Sequence, residues 1–177
     1  VEGAEKHIID SLRWLGLEFD EGPVRQSNRE ALYKKSVSTL IKKGLAYYAF
    51  DTPNDLDKAR GDSKGTFKYN FTTRMKMSNS FTLGADETEA RLKRGGYSVR
   101  MMVPENRIIK VVDEVRGNLS FNSEELEDKI ILKSDGMPTY HLANVVDDHD
   151  MKITSVIRGE EWLSLIHISE PTRLLAI

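Results

Sequence analysis

At 177 residues the chain can hold one ordinary core or two small ones. A hydrophobic share of 39% and a charged share of 31% fit a soluble globular protein. The absence of Cys excludes disulfides and thiolate metal sites; no apolar run approaches the roughly 20 residues that span a bilayer, and the acidic opening VEGAEKHIID is unlike a signal peptide, so a cytoplasmic location is expected. The net charge of −2 argues against a protein that coats nucleic acid indiscriminately, but the charge is uneven. Between Arg91 and Arg116 seven cations (Arg91, Lys93, Arg94, Arg100, Arg107, Lys110, Arg116) face three acids, and between Lys58 and Lys76 six cations face Asp62 alone. A solvated basic surface and a nucleic-acid face both meet that pattern.

In chain order, Ile8, Ile9, Leu12 and Leu15 at helical spacing, closed by Gly16, predict a core helix. S-N-R-E at 27–30 reads as a capping box, with Ser27 accepting from the third amide and Glu30 reaching back. The core helix it opens buries Leu32, Val37, Leu40 and Ile41 and stops at Gly44. The run 47–50 predicts a short strand, and 54–64 a short helix and loop. Asp86 with Glu89 caps a helix, Tyr97, Val99, Met101 and Val103 alternate as a strand ended by Pro104, and Ile108 to Val112 gives another strand. Ser123 with the acids from Glu124 to Asp128 predicts a further helix start. Strand 130–133, the turn Ser134-Asp135-Gly136, a helix after Pro138 and a strand from Thr154 to Ile157 suggest a parallel βαβ unit.

The stretch S-D-G-M-P-T-Y-H-L-A-N-V-V-D-D-H-D-M (134–151), followed by V-I-R-G-E-E-W (156–162), closely resembles the second half of the catalytic domain of glutamyl-tRNA synthetases. G-A-E-K-H-I-I-D-S-L-R-W-L-G-L (3–17) and A-Y-Y-A-F (46–50) extend the resemblance over nearly everything up to Trp162. It implies an α/β fold: a partial class I Rossmann-like catalytic domain interrupted by an α+β insertion that binds the tRNA acceptor stem. The catalytic parts are expected at 1–46 and 133–162 and the insertion at 47–132, where the basic stretches lie.

Arg158 offers a planar fork suited to a carboxylate, Tyr140 a phenolic hydroxyl, and Asn144 an amide one helical turn beyond it on the same face. By the residues alone these fit a surface ion pair and core polar groups equally well. The resemblance makes Tyr140 and Arg158 glutamate ligands, with Asn144 in support, places Glu161 and Trp162 beside ATP, and assigns the seven middle cations to tRNA. Asp147-Asp148-His149 does not read as a metal site, because successive helical side chains diverge. K-M-S-N-S at 76–80 resembles the phosphate-stabilising loop of class I enzymes but precedes the V-I-R-G-E-E-W region instead of following it, and is expected to be a turn in the insertion. Where some family members bind zinc this chain has Tyr47 to Asp51, so zinc is not expected.

The resemblance implies that the complete enzyme activates L-glutamate with ATP, accompanied by Mg2+, and transfers it to tRNA-Glu, acting as a monomer away from membranes. The H-I-G-H-like and K-L-S-K-R-like loops are not in this sequence, so the isolated chain is expected to be inactive. Residues from about Leu163 to Ile177 resemble a translated transposon-type sequencing adapter and are expected to be non-native. Three other readings remain open: a glutaminyl-tRNA synthetase, a glutamyl-queuosine synthetase, and a non-catalytic RNA-binding module built on the basic insertion.

Overall fold

In a computed structural model, residues 3–62 and 67–157 are described. Helix α1 (Ala4–Trp14) is followed by a short 3-10 turn at Gln26–Asn28, α2 (Glu30–Lys42) and β1 (Ala46–Ala49). Then come α3 (Pro53–Gly61), α4 (Phe71–Arg74), α5 (Ala85–Arg94) and β2 (Ser98–Met101). The hairpin β3 (Ile108–Asp113) and β4 (Gly117–Asn122) leads to β5 (Ile130–Leu132) and α6 (Tyr140–Asp150).

Strands β1, β2 and β5 form one antiparallel sheet in the order β1-β2-β5, and β3 pairs with β4 in a second. Because strand side chains alternate, β1 divides two cores. Ala46 and Tyr48 face α2 and α6 in a cluster built on Tyr33, Val37, Leu40, Val99, Ile131, Leu132, Leu142, Ala143 and Val146. Tyr47 and Ala49 face the other way, onto Tyr69, Leu56, Phe67, Met77 and Met102. The expected domain boundaries at 46/47 and 132/133 therefore fall at a sheet whose strands share one core with α2 and α6.

Gly16 and Gly44 end α1 and α2 at positive φ, +74° and +70°. At each, the next residue's amide bonds five residues back, Leu17 to Leu12 and Leu45 to Leu40, the Schellman pattern that a side chain at that φ would strain. Thr52 opens α3 with a reciprocal capping box to Asp55.

Several expectations are corrected. Ser27 does not cap α2; the chain takes a 3-10 turn there and Arg29 becomes the N-cap residue without a side-chain capping bond. That leaves the Arg29 guanidinium facing the last turn of α6, a tertiary contact that outweighs the local motif. In α2 the fully buried residues are Tyr33, Val37 and Leu40, while Leu32 and Ile41 pack at the margin of the core. Helix α1 buries no residue: Ile8 and Leu15 are exposed, Trp14 is 85% exposed, and no described surface covers that face. Helix α5 starts before Asp86, with Gly84 as N-cap and no side-chain cap, and Glu89 pairs with Lys93 instead.

Ser123 opens only one 3-10 turn, capped by Asn122, and Asp128, expected on a helix surface, is 0% exposed. No strand forms at 154–157, and β5 runs antiparallel to β2, so the parallel βαβ unit is absent among the described residues. The stretch 76–80 is a turn, as expected. Asn79, 0% exposed, stands where phosphate chemistry would want a cation, and its amide donates to the Arg74 and Met77 carbonyls. Ser78 and Ser80 extend the sheet along the free edge of β1 through Phe50 N to Ser78 O and Ser80 N to Tyr48 O.

Asp128 closes the lower core. Its Oδ2 accepts from the Tyr47 hydroxyl at 2.7 Å and lies 3.2 Å from Arg74 Nε; its Oδ1 accepts from Val103 N at 3.0 Å. Its own carbonyl accepts from Arg100 Nη1 at 2.8 Å, and that guanidinium lies 3.8 Å from the centre of the Tyr69 ring. Burial pushes the Asp128 carboxyl up from its ordinary range, against the opposing pull of the Tyr47 hydroxyl, the Val103 amide and both arginines. Removing one member strands the others in a dry interior. Asp128→Asn should therefore destabilise the chain by about 3 kcal/mol, read as a lowered urea midpoint at unchanged slope.

Candidate functional site

Helix α6 carries two of the residues that the sequence singles out for ligand binding, Tyr140 and Asn144. It leaves β5 through a tight hairpin in which Thr139 N donates to Ile131 O and Thr139 Oγ1 donates to Ile130 O. Tyr140, the first helical residue, is 48% exposed, while Asn144, one turn on, is half-buried. The Asn144 Oδ1 and the neighbouring His141 Nδ1 are buried and have no hydrogen-bond partner among the described residues. A buried amide oxygen without a donor is costly, so a ligand that donates to Asn144 would recover that cost. Arg158, Glu161 and Trp162 lie outside the described residues, as do Leu163 to Ile177.

The last turn of α6 is tied to α2 and to the 3-10 turn that precedes it. The Tyr33 hydroxyl donates to both Asp147 oxygens at 2.9 and 2.8 Å, Arg29 Nε lies 3.0 Å from Asp147 Oδ1, and Gln26 Nε2 donates to Asp147 at 3.1 Å. Arg29 also pairs with Asp150. Burial and the adjacent Asp147 carboxylate raise the Tyr33 hydroxyl to about 12, so it stays a proton donor at neutral pH. Asp147 is thus engaged toward α2, apart from any partnership with Asp148 and His149, and no group of three or more metal-ligating side chains converges among the described residues. The sequence argues against a metal site at Asp147 but does not disclose its partners, since Tyr33 and Arg29 lie more than a hundred positions away.

The seven middle cations separate in space. Arg100 is 8% exposed, bonded to Asp128 and stacked on Tyr69, so it is removed from any surface contact with nucleic acid. Arg91 is partly buried, held by Glu87 at 2.7 Å and by Ser78 Oγ at 3.0 Å. Lys93 and Arg94 are exposed at the end of α5; Arg107, Lys110 and Arg116 are exposed on or beside the β3–β4 hairpin. On that hairpin Lys110 shares its outward face with the exposed Ile108 and Val112.

A sequence profile described as tRNA synthetases class I (E and Q), catalytic domain, matches residues 1–168. The chain belongs to that family. Glutamate–tRNA ligases are among its relatives: that of Azobacteroides pseudotrichonymphae is 52% identical over 93% of this chain and 33% of its own length. That of Bacteroides fragilis is 49% identical over 92% of this chain and 34% of its own length. The chain thus spans about a third of the length of these class I synthetases. A crystal structure of a glutamate tRNA ligase from Elizabethkingia meningosepticum, in complex with its amino acid, superposes with a TM-score of 0.89 at 41% identity. It covers 97% of this chain and 37% of that one. A glutamate-tRNA synthetase from Elizabethkingia anophelis superposes at 0.90, also at 41% identity. The mixed helix and strand architecture is therefore that of a partial class I synthetase catalytic domain.

Burial, aided by Lys129, holds the His141 imidazole below its ordinary range. A base depressed in the fold is protonated first in the unfolded chain, so its contribution is present above about pH 6.5 and lost as pH falls through the lower folded value. Urea unfolding of the chain between pH 8 and pH 5 should show stability decreasing below about pH 6.5, and His141→Gln should flatten that decrease.

Proposed function

We propose that this segment is part of a glutamate–tRNA ligase that activates L-glutamate with ATP and transfers it to the 3′ end of tRNA-Glu. The buried Asn144 Oδ1, with no donor among the described residues, beside the exposed Tyr140 is the observation that supports this reading most directly. An α-amino group would supply the missing donor, while the Tyr140 hydroxyl and the Arg158 fork would hold a carboxylate. The similar proteins agree with it, since the Elizabethkingia meningosepticum ligase was crystallised with its amino acid. Glu161 and Trp162 are assigned to the ATP side, and the exposed cations at the end of α5 and on the β3–β4 hairpin to the tRNA acceptor stem. Magnesium accompanies the nucleotide phosphates in this reading, and no cluster of described side chains is arranged to hold it. The chemistry asked of these residues is positioning and charge complementarity rather than covalent catalysis.

The decisive test is ATP–pyrophosphate exchange and tRNA charging by the full-length gene product, with tRNA present. Exchange that depends on glutamate supports the ligase, dependence on glutamine would make it a glutaminyl enzyme, and RNA binding without exchange would leave only a binding module. Within that assay Tyr140→Phe should raise the glutamate KM about tenfold, the loss of one hydrogen bond to a charged group.

Lys93, Arg94 and Lys110 are proposed as phosphate contacts, with Arg100 withdrawn from that set. Reversing the three charges together should weaken tRNA binding more than about tenfold at low salt and make the slope of affinity against salt shallower by about three. Unchanged affinity would assign them to solvent.

A further inference from the structure

Two elements hold α6, and they are of different kinds. The first is apolar: Leu142, Ala143 and Val146 pack against Tyr33, Val37 and Leu40 of α2 and against the sheet. Apolar contact is non-directional and by itself leaves a helix free to slide and rotate by small amounts. The second is polar and directional. At the start of α6, Thr139 bonds to the backbone of β5; near its end, Asp147 receives Tyr33, Arg29 and Gln26, and Asp150 receives Arg29.

Replacing a buried ionic cluster by apolar groups often costs a fold nothing, so mere attachment of two helices does not call for this one. What it adds is a fixed angle and height. Tyr140, Asn144 and Asp147 succeed one another at intervals of four and three along one side of α6, so the clamp lies on the same stripe as the proposed ligand groups. A rotation of about 20° would carry a side-chain tip roughly 6 Å from the helix axis through about 2 Å. A misplacement of about 1 Å already costs reactions of this kind on the order of a hundredfold.

We infer that Tyr33, Arg29 and Asp147 are positioning residues for amino-acid binding: by locking α6 to α2 they set the rotation and height at which Tyr140 and Asn144 meet the substrate. This rests on the reading of Tyr140 and Asn144 as glutamate contacts. The cluster does not touch the substrate in this scheme; it acts through the helix.

The test compares Tyr33→Phe, Arg29→Lys and Tyr47→Phe in the full-length gene product, measuring glutamate KM, ATP KM and thermal midpoint in the exchange assay, with Tyr140→Phe alongside. Tyr33→Phe and Tyr47→Phe each delete one hydroxyl from a carboxylate, the half-buried Asp147 and the buried Asp128 respectively, so both lose stability. Tyr33→Phe should raise the glutamate KM about fivefold to tenfold and leave the ATP KM within about twofold. Arg29→Lys, which keeps the charge but loses the fork, should move the same constant in the same direction. Tyr47→Phe should lower the midpoint and leave the glutamate KM unchanged. The inference is overturned if Tyr140→Phe raises the glutamate KM while Tyr33→Phe and Arg29→Lys do not, or if Tyr47→Phe raises it equally. If Tyr140→Phe itself leaves that constant unchanged, the glutamate reading of α6 fails and the positioning role fails with it.

Discussion

A carboxylate with no access to water holds the middle of this protein together. Asp128 sits between β4 and β5 in chain order, and the groups around it come from distant places: Arg74 from α4, Tyr47 from β1, Arg100 from β2 and the amide of Val103 just beyond. A lone buried charge would cost several kcal/mol, and the two arginines would each cost as much without it. The three are stable only together, and together they require β1, β2 and β5 to meet in one register. The side of the sheet that faces away from α2 and α6 is therefore organised by charge, with Tyr69 and Tyr47 filling the space around the guanidinium groups.

The opposite side of the same sheet solves the same problem with the same pair of residue types. Tyr33, completely buried, delivers its hydroxyl to Asp147 and so joins α2 to α6, as Tyr47 delivers its hydroxyl to Asp128 below. One pair lies within the stretch expected to bind RNA and the other beside the helix proposed to bind the amino acid. The β1-β2-β5 sheet lies between them, so the proposed tRNA-binding and amino-acid-binding parts are joined through a shared wall rather than a linker.

The charge pattern illustrates how position along a chain differs from position in space. Counting cations along the sequence from Lys58 to Arg116 treats each as surface; in the fold, Arg74 and Arg100 are interior and Arg91 is largely occupied by Glu87 and Ser78. Of the seven middle cations, those left facing outward lie on two separate elements, the end of α5 and the β3–β4 hairpin. Exposed apolar residues remain as well: the hairpin shows Ile108, Val112 and Val115, and α1 shows Ile8 and Trp14, with Leu15 just beyond. Periodicity identified α1 as a helix with an apolar side, but periodicity states only which residues share a face, not what covers it.

By itself the sequence determined the elements whose causes are local. Gly16 and Gly44 mark helix ends because only glycine takes the required φ without strain, the alternation around Val99 marks β2, and Pro138 precedes α6. It also carried the family, since the motifs from Ser134 to Trp162 are long enough to be specific. What only the tertiary structure decided depends on partners far apart in the chain. The start of α2 moved from Ser27 to Glu30 because Arg29 is drawn to Asp147 and Asp150; Asp128 passed from a supposed helix face to the centre of a core; Arg100 passed from a supposed RNA contact to the ring of Tyr69. A charged residue reads as exposed from sequence because burying it alone is prohibitive, and only the fold reveals that its counter-charge has been buried beside it.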